Sequence, residues 1–320
     1  MKNKIFKLLA TASILSMFFT FSGCSNMQLL RVEKINDSEV NTDSDLSFAV
    51  MGDIHNNTEN FKNVVNEFYK LNPNMNALIL NGDIVDEGKD EQYKSMKKVI
   101  DQNSNKIPEI LIKNIGNHEF YNYDESSNSQ EDIEKFTNKY LEFAGNDKVY
   151  NDMWIKGYHF ISLGSDNLTG EDLNSTQASL SDTQFSWLKD KLKENYVSGK
   201  PIFVFLHQPI ETDFFGRQWY GVRQGDELKA ILSNYPEVII FSSHTHKEFG
   251  EDSIIENMPY TMIYTGAVGY TLVKDENGRS RNNDINNSIY VEVEGNTVII
   301  KERDIKNHKW VVSKSLKEGM

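Results

Sequence analysis

Five short stretches of this sequence each end an apolar run with carboxylate, imidazole or amide side chains, all of them groups that can bind metal ions. In each stretch the polar side chains follow the point where a buried strand would stop, and none of the five contains a cysteine. Such a set of oxygen and nitrogen ligands suits borderline metals such as Zn, Mn, Fe or Ni. Ligands gather beyond the carboxyl ends of strands in open α/β sheets, so we expect the five stretches to converge on one site. They are residues 50–55, 77–86, 115–119, 205–208 and 241–246.

Five of the seven histidines of the chain belong to these stretches. The other two do not, and we expect no role for them in the site. His159 falls in the middle of an apolar strand pattern, which is typical of a packed histidine. His308 falls in a polar C-terminal segment.

In their order along the chain, the five stretches resemble the five blocks of the calcineurin-like metallophosphoesterase family. The matching motifs are Asp53-Ile-His55, Gly82-Asp83, Gly116-Asn117-His118-Glu119, His207 and His244-Thr-His246. A single Asp-x-His or Gly-Asp pair would mean little, whereas five blocks in the right order are a strong signal. The sequence departs from the family at Ser243, where Gly is usual before the His-x-His pair. Because serine is small, we expect only a modest backbone adjustment there.

The resemblance implies two metal ions, divalent or trivalent, that share one carboxylate. The first ion would be held by Asp53, His55, Asp83 and His246. The second would be held by Asp83, Asn117, His207 and His244. The two oxygens of Asp83 allow it to bridge the ions, and two metals about 3.5–4 Å apart form a clamp for in-line displacement at phosphorus. The implied activity is hydrolysis of a phosphomonoester or phosphodiester by a hydroxide that bridges the metals.

Three further polar residues lie beside the ligand positions. The resemblance places His118 near the leaving oxygen, as a general acid or a cationic hydrogen-bond donor, and not on a metal. Glu119 and Asp86 could orient the imidazoles of the ligands. The alternative is that these two residues are solvated loop carboxylates.

The loop over residues 208–225, directly after His207, is the candidate for substrate contact. It contains Arg217, Trp219, Tyr220 and Arg223. Aromatic planes could stack on a nucleobase, and an arginine could pair with a phosphate. The alternative is a surface loop whose aromatic side chains pack back on the domain.

The N-terminus resembles a bacterial lipoprotein signal peptide. Three lysines precede an uncharged, largely apolar run over residues 8–21, which has the length of a signal h-region and is short for a transmembrane helix. Residues 21–24 then read Phe-Ser-Gly-Cys and resemble a lipobox, with Phe21 where Leu is preferred. We expect cleavage after residue 23 and a lipid on Cys24, which would anchor the protein to the cell membrane outside the cytoplasm. Plain secretion with a free cysteine is the alternative.

The elements that position the ligands follow a strand–helix–strand order. Apolar residues at i, i+3, i+4 and i+7 predict a helix over residues 58–71 between the first two ligand strands. Together with the family resemblance, this order predicts an α/β fold, a four-layer α/β/β/α sandwich of two mixed sheets flanked by helices. The predicted organisation is a signal peptide (1–23), a tether (24–45), a catalytic domain (46–305) and a polar C-terminal tail (306–320) in which Trp310-Val-Val could form a last edge strand.

Composition limits the function further. The chain has 320 residues and a formal net charge of −13, and it offers no long basic stripe, which argues against a nucleic-acid scaffold. An acidic enzyme can still bind a phosphoester if metal ions reverse the local field. Cys24 is the single cysteine, which excludes an intrachain disulfide and thiolate metal sites. The alternative to a phosphohydrolase is a surface-binding lipoprotein that keeps the fold without turnover, and the intact ligand set favours the enzyme.

Overall fold

The computed structural model describes residues 40–210, 221–256, 258–275 and 278–317. The strands are β1 (Leu46–Met51), β2 (Ala77–Asn81), β3 (Ile110–Asn114), β4 (Asn151–Ile155), β5 (Tyr158–Ser162), β6 (Ile202–Phe205), β7 (Val238–Ser242), β8 (Ile254–Ile255), β9 (Thr261–Tyr264), β10 (Thr271–Asp275), β11 (Gly278–Asn282), β12 (Asn287–Glu294), β13 (Thr297–Asp304) and β14 (Lys309–Lys317). The helices are α1 (Thr58–Leu71), α2 (Asp90–Gln102), α3 (Gln130–Ala144), α4 (Asp182–Lys193) and α5 (Gly225–Leu232). The proposed signal peptide, Cys24 and the first part of the tether lie outside the described residues.

The first sheet has the strand order β14-β13-β12-β1-β2-β3. Strands β1, β2 and β3 run parallel, while β12, β13 and β14 add to β1 as an antiparallel meander. Every residue of β1 is buried, as expected for a central strand of apolar sequence covered on both faces. The segment predicted as a C-terminal tail instead contains β14, which forms the edge strand that Trp310-Val-Val had suggested. The sheet therefore extends beyond residue 305, to residue 317.

The second sheet has the strand order β4-β5-β6-β7-β9-β8, and its four central strands are parallel. Strands β10 and β11 form a separate two-stranded hairpin, and an isolated parallel bridge joins Leu272 of β10 to Lys247.

Helix α1 shows why the sequence pattern found the helices. The side chain of Asn57 caps it by accepting from the Asn60 N–H, and Asn72 ends it. Its apolar stripe, which includes Phe61, Val64 and Phe68, is buried against the first sheet. The predicted helix over residues 58–71 is confirmed.

Three apolar clusters define the layers. One lies between helices α1–α3 and the outer face of the first sheet, and another between α4–α5 and the outer face of the second sheet. The third fills the space between the sheets, where the Phe48 ring packs edge-to-face on Phe160 and Phe203 with centroid distances of 5.0 Å and 4.9 Å. The predicted four-layer α/β/β/α sandwich is confirmed. Among the described helices, none has the length and apolar character to span a bilayer.

Candidate metal centre

The predicted ligands lie on loops at the carboxyl ends of parallel strands from both sheets. From the first sheet, Asp53 and His55 follow β1, Asp83 follows β2 and Asn117 follows β3. From the second sheet, His207 follows β6, and His244 and His246 follow β7. The structure brings all seven side chains to one edge of the sandwich.

The backbone at these loops is unusual. Five of the ligand residues have a left-handed backbone with positive φ, and none of them is glycine: Asp53 (52°), His55 (50°), Asp83 (49°), His244 (69°) and His246 (50°). Such a conformation costs roughly 1–2 kcal/mol per residue. Backbone hydrogen bonds offset this cost, since the N–H groups of Ile54 and His55 both donate to Asp83 O at 2.8 Å and 2.9 Å. The loops after β1 and β2 therefore hold each other in shape.

Asp53, His55 and His246 form a first group that could hold a metal ion, with ligand atoms all within 4.8 Å of one another. Asp53 Oδ1 lies 3.3 Å from His246 Nε2, and the Nε2 atoms of His55 and His246 lie 3.0 Å apart. His246 Nδ1 donates to Tyr270 O at 2.8 Å, which directs its Nε2 toward Asp53. The Asp53 carboxylate is completely buried and accepts from the His244 N–H at 2.9 Å.

Asp83, His207 and His244 form a second such group. His207 Nδ1 donates to Asn81 O at 2.8 Å, so its Nε2 faces Asp83 Oδ2 at 3.1 Å.

Asn117 provides the observation that tests whether a metal fits here. Its Nδ2 donates to the Tyr121 hydroxyl at 2.9 Å, which fixes the orientation of the amide. Its Oδ1 is buried, and no hydrogen bond to it exists among the described residues. A buried amide oxygen without a donor costs about 1–3 kcal/mol, and a cation beside Asp83 would satisfy it. The residues present therefore fit a metal site.

Asp83 lies between the two groups. Its Oδ2 is 3.1 Å from His207 Nε2 in the second group and 3.9 Å from His55 Nε2 in the first. Its Oδ1 accepts from the His118 N–H at 2.8 Å, which orients the carboxylate. The Asp83 carboxylate thus faces candidate ligands of both groups.

The structure corrects the role predicted for Glu119. Its fully buried carboxylate contacts no imidazole; it accepts from the backbone N–H groups of Ile84 and Gly116, both at 2.7 Å, and of Asp83 at 3.1 Å. These donors come from the loops after β2 and β3, so Glu119 joins the two loops that carry Asp83 and Asn117. Burial and the nearby Asp83 charge raise the pKa of Glu119 to about 7.

Asp86 makes the contacts predicted for it. Its Oδ1 accepts from His55 Nδ1 at 3.0 Å, and its backbone carbonyl accepts from His118 Nδ1 at 2.9 Å. Hydrogen bonds to His118 and His55 lower the pKa of the Asp86 carboxyl. His118 thus presents Nε2 toward the centre, 4.0 Å from Asp83 Oδ2.

The buried carboxylates and imidazoles of the site shift one another's pKa values. Burial opposes a charge on His207 and on His118, but the Asp83 carboxylate raises the pKa of each imidazole to about 9. Burial raises the pKa of Asp53 to about 8, whereas burial together with the His207 charge lowers the pKa of His244 to about 3. Cations that bind here would replace protons on these groups, so metal affinity rises with pH.

Ser243, which stands where the family usually has glycine, packs against Asn81, Thr265 and Gly52. Its Oγ accepts from Asn81 Nδ2 at 3.1 Å and lies 2.6 Å from Thr265 Oγ1. The hydroxyl also occupies the space over Gly52, where an added Cβ would lie 2.2 Å from it. The serine that replaces the usual family glycine therefore fits because residue 52 has no side chain.

The predicted substrate segment lies largely outside the described residues, which include neither Arg217, Trp219 nor Tyr220. Arg223 is exposed, and its N–H donates to Ala178 O at 2.9 Å. His159 is packed as predicted, with Nε2 2.9 Å from Asp152 Oδ2.

Sequence reasoning missed Tyr270, whose ring stacks on the His246 imidazole at a centroid distance of 4.1 Å. Tyr270 lies after β9, directly behind the run Gly266-Ala-Val-Gly269. A tyrosine after a glycine-containing turn is too common in protein sequences to indicate a functional site.

Comparison with known proteins identifies the class. The model of the calcineurin-like phosphoesterase family matches residues 46–248, and the chain belongs to this family. It is 25% identical over 223 residues to a 3′,5′-cyclic-nucleotide phosphodiesterase of Nostoc sp., which covers 64% of this chain and 73% of the relative. The resemblance inferred from the five blocks is confirmed, and the protein is a metal-dependent phosphohydrolase.

Solved structures share the fold at low sequence identity. A purple acid phosphatase from yellow lupin (Lupinus luteus) seeds superposes with a TM-score of 0.59 and 10% identity over 85% of this chain. The match spans 53% of that chain, about half its length. GAP50, described as the anchor in the inner membrane complex of Plasmodium, superposes with a TM-score of 0.56 and 15% identity, over 86% of this chain and 89% of its own.

Proposed function

We propose that the protein hydrolyses phosphomonoesters or phosphodiesters with two metal ions that share Asp83. The observation that carries this proposal is the position of Asp83 Oδ2, within 4.0 Å of imidazole nitrogens from both ligand groups. A carboxylate so placed can serve two cations at once.

The remaining ligands divide by position. Asp53, His55 and His246 would hold one ion with Asp83, and Asn117, His207 and His244 would hold the other. This set suits Mn, Zn, Fe or Ni. When bound, the ions supply a Lewis acid for the phosphoryl oxygens and activate the attacking water.

His118 would donate a proton or a hydrogen bond to the leaving oxygen. Its Nδ1 is fixed by Asp86 O at 2.9 Å, and its Nε2 faces the metal site. Burial disfavours the charged imidazole, but Asp83 and Asp86 raise the pKa of His118 to about 9, which favours a proton available for the leaving oxygen. Asp86 would keep this imidazole and that of His55 in the required orientation.

The proposal also includes the location. We infer a lipid anchor on Cys24 and a site of action outside the cytoplasm, from the lysine-rich start, the apolar run and the lipobox-like residues 21–24. Expression in a bacterial host with labelled palmitate tests this: the wild-type chain should take up label, and Cys24→Ser should not. Label in both variants, or in neither, would contradict the anchor.

Metal content and activity together test the enzymatic proposal. Purified protein loaded with Mn²⁺ or Zn²⁺ should contain two ions per chain and release nitrophenol from a nitrophenyl phosphoester. Asp83→Asn should lose both metal and turnover, while Asp101→Asn, an exposed change on α2, should alter neither. One ion per chain with full activity would contradict the shared carboxylate.

A further inference from the structure

A tyrosine ring lies between a candidate ligand imidazole and a guanidinium group at the rim of the metal centre, in contact with each. The Tyr270 ring lies on the His246 imidazole at 4.1 Å, nearly parallel at 19°. The Arg281 guanidinium lies over the Tyr270 ring, with Cζ 4.2 Å from the ring centre. The guanidinium carbon is therefore no farther than 8.3 Å, the sum of the two distances, from the centre of the His246 imidazole.

Backbone contacts fix this arrangement. Tyr270 O accepts from His246 Nδ1 at 2.8 Å, and the Leu272 N–H donates to His246 O at 2.7 Å. In the β10–β11 hairpin, Arg281 pairs directly with Leu272. The hairpin is thus attached to the segment that carries His246, and its position relative to the site does not depend on side-chain packing alone.

The charge of Arg281 is available to a ligand. The residue is exposed, and among the described part of the chain no carboxylate lies within ion-pair distance of its guanidinium. A guanidinium keeps its charge at any physiological pH, and when it stacks by its face it still presents its N–H donors at its edge. The contact with the Tyr270 ring leaves the N–H donors of the Arg281 guanidinium free to bind a ligand, and it limits the motion of this side chain.

Three carboxyl groups lie near the Tyr270 ring. Asp53, Asp83 and Asp86 lie around the ligand imidazoles, and the chain as a whole carries a formal charge of −13. An arginine that forms no ion pair with the described carboxylates can pair with an anionic group brought by a ligand.

We propose that Arg281 binds a second phosphate of the substrate while the phosphoester to be cleaved lies at the metal centre. The proposal rests on the function proposed above and narrows its substrate class to phosphoesters that carry a further phosphate a few bonds from the scissile group. Substrates with a single anionic group, such as a 3′,5′-cyclic nucleotide, leave Arg281 without a partner.

A matched pair of substrates tests this. Thymidine 5′-(p-nitrophenyl phosphate) and its 3′-phosphorylated form share the scissile bond and the leaving group, and differ by one phosphate. We expect the wild-type enzyme to show a kcat/KM at least about tenfold higher for the 3′-phosphorylated form, as for one charge-assisted contact. In Arg281→Gln, the ratio of the two kcat/KM values should fall to about one, with the change carried by KM.

Two further variants make the test specific. Arg281→Lys should keep part of the preference, because the charge remains while the planar fork is lost. Lys97→Gln, an exposed change on α2, should leave both rates unaltered.

The outcomes separate the inference from the function on which it rests. No turnover of these two diesters or of p-nitrophenyl phosphate by metal-loaded wild-type enzyme would overturn the proposed function. Turnover of the monoester alone would overturn the role of Arg281 alone. Equal turnover of both by the wild type, or an Arg281→Gln variant that slows both by the same factor and keeps the ratio, would overturn the role of Arg281 alone.

Discussion

A glycine-to-alanine change at residue 52 tests how closely the two sheets approach beneath the metal centre. Gly52 lies between β1 and the ligand Asp53, and a Cβ added there would lie 2.2 Å from Ser243 Oγ and 2.7 Å from Ser243 Cβ. No non-bonded pair tolerates such distances, so the loop after β1 or the loop after β7 must move. Both loops carry ligands, and we expect Gly52→Ala to lower stability and metal affinity together.

The size of the effect follows from the contacts. Overpacking of a buried site costs about 1–3 kcal/mol. Ser243→Gly removes the hydroxyl hydrogen-bonded to Asn81 and Thr265 and should cost about 1–3 kcal/mol by itself. In the double variant the clash with Ser243 disappears, and a tight contact with Asn81 O at 3.1 Å remains. The two changes should therefore cost less together than the sum of the separate costs, by about 1–2 kcal/mol.

Urea unfolding of the metal-free protein measures these differences through the transition midpoint. Gly225→Ala, at the start of α5, is the matched control. Among the described residues a Cβ there meets only Ile210 O, at 3.7 Å, so the change should be neutral or slightly stabilising. Strictly additive costs in the double variant, or a Gly52→Ala protein as stable as the wild type, would refute the account of Ser243.

Three further predictions concern single side chains. His118→Ala should keep both metals and slow turnover by about 10²-fold or more, most on substrates with poor leaving groups; metal analysis and a leaving-group series measure this, and loss of metal would contradict it. Glu119→Gln should destabilise the protein by about 1–3 kcal/mol in chemical denaturation and weaken metal binding, because an amide cannot accept from all the N–H groups of the two loops; unchanged stability would count against this role. Burial raises the pKa of Glu302 from 4.5 to about 8, so this group favours the folded state below pH 4.5 and that contribution is lost as the pH rises to 8. Glu302→Gln should therefore gain stability over the wild type at pH 8 and show little gain at pH 4.5, as measured by thermal unfolding; a difference independent of pH would exclude this explanation.

The sequence was sufficient where the information is local. The apolar spacing in residues 58–71 predicted α1, because one face of a helix must be buried. The apolar strands followed by polar side chains located the ligand loops, because parallel strands deliver their carboxyl ends to one edge.

The remaining features depend on partners that are distant in the chain. Glu119 binds the backbone N–H groups of residues about 35 positions away, and no local pattern distinguishes this from a solvated loop carboxylate. Strand β14 has few apolar residues because it is an edge strand, so its sequence resembled a tail. The positive φ angles of Asp53 and Asp83 are stabilised by hydrogen bonds between two loops. They cannot be predicted from the residue type at either position.

The origin of the ligands has a mechanical consequence. Asp83 comes from one sheet and His207 from the other, and between these sheets the sandwich is filled by apolar side chains that give no directional bonds. A cation held by both residues would link the two sheets at the edge that carries the ligands. At the opposite edge no metal ligand would link them. Removal of the ions by a chelator should then weaken the contact between the two sheets first at the edge that carries the metal ligands. Unfolding of the protein would begin at its active site.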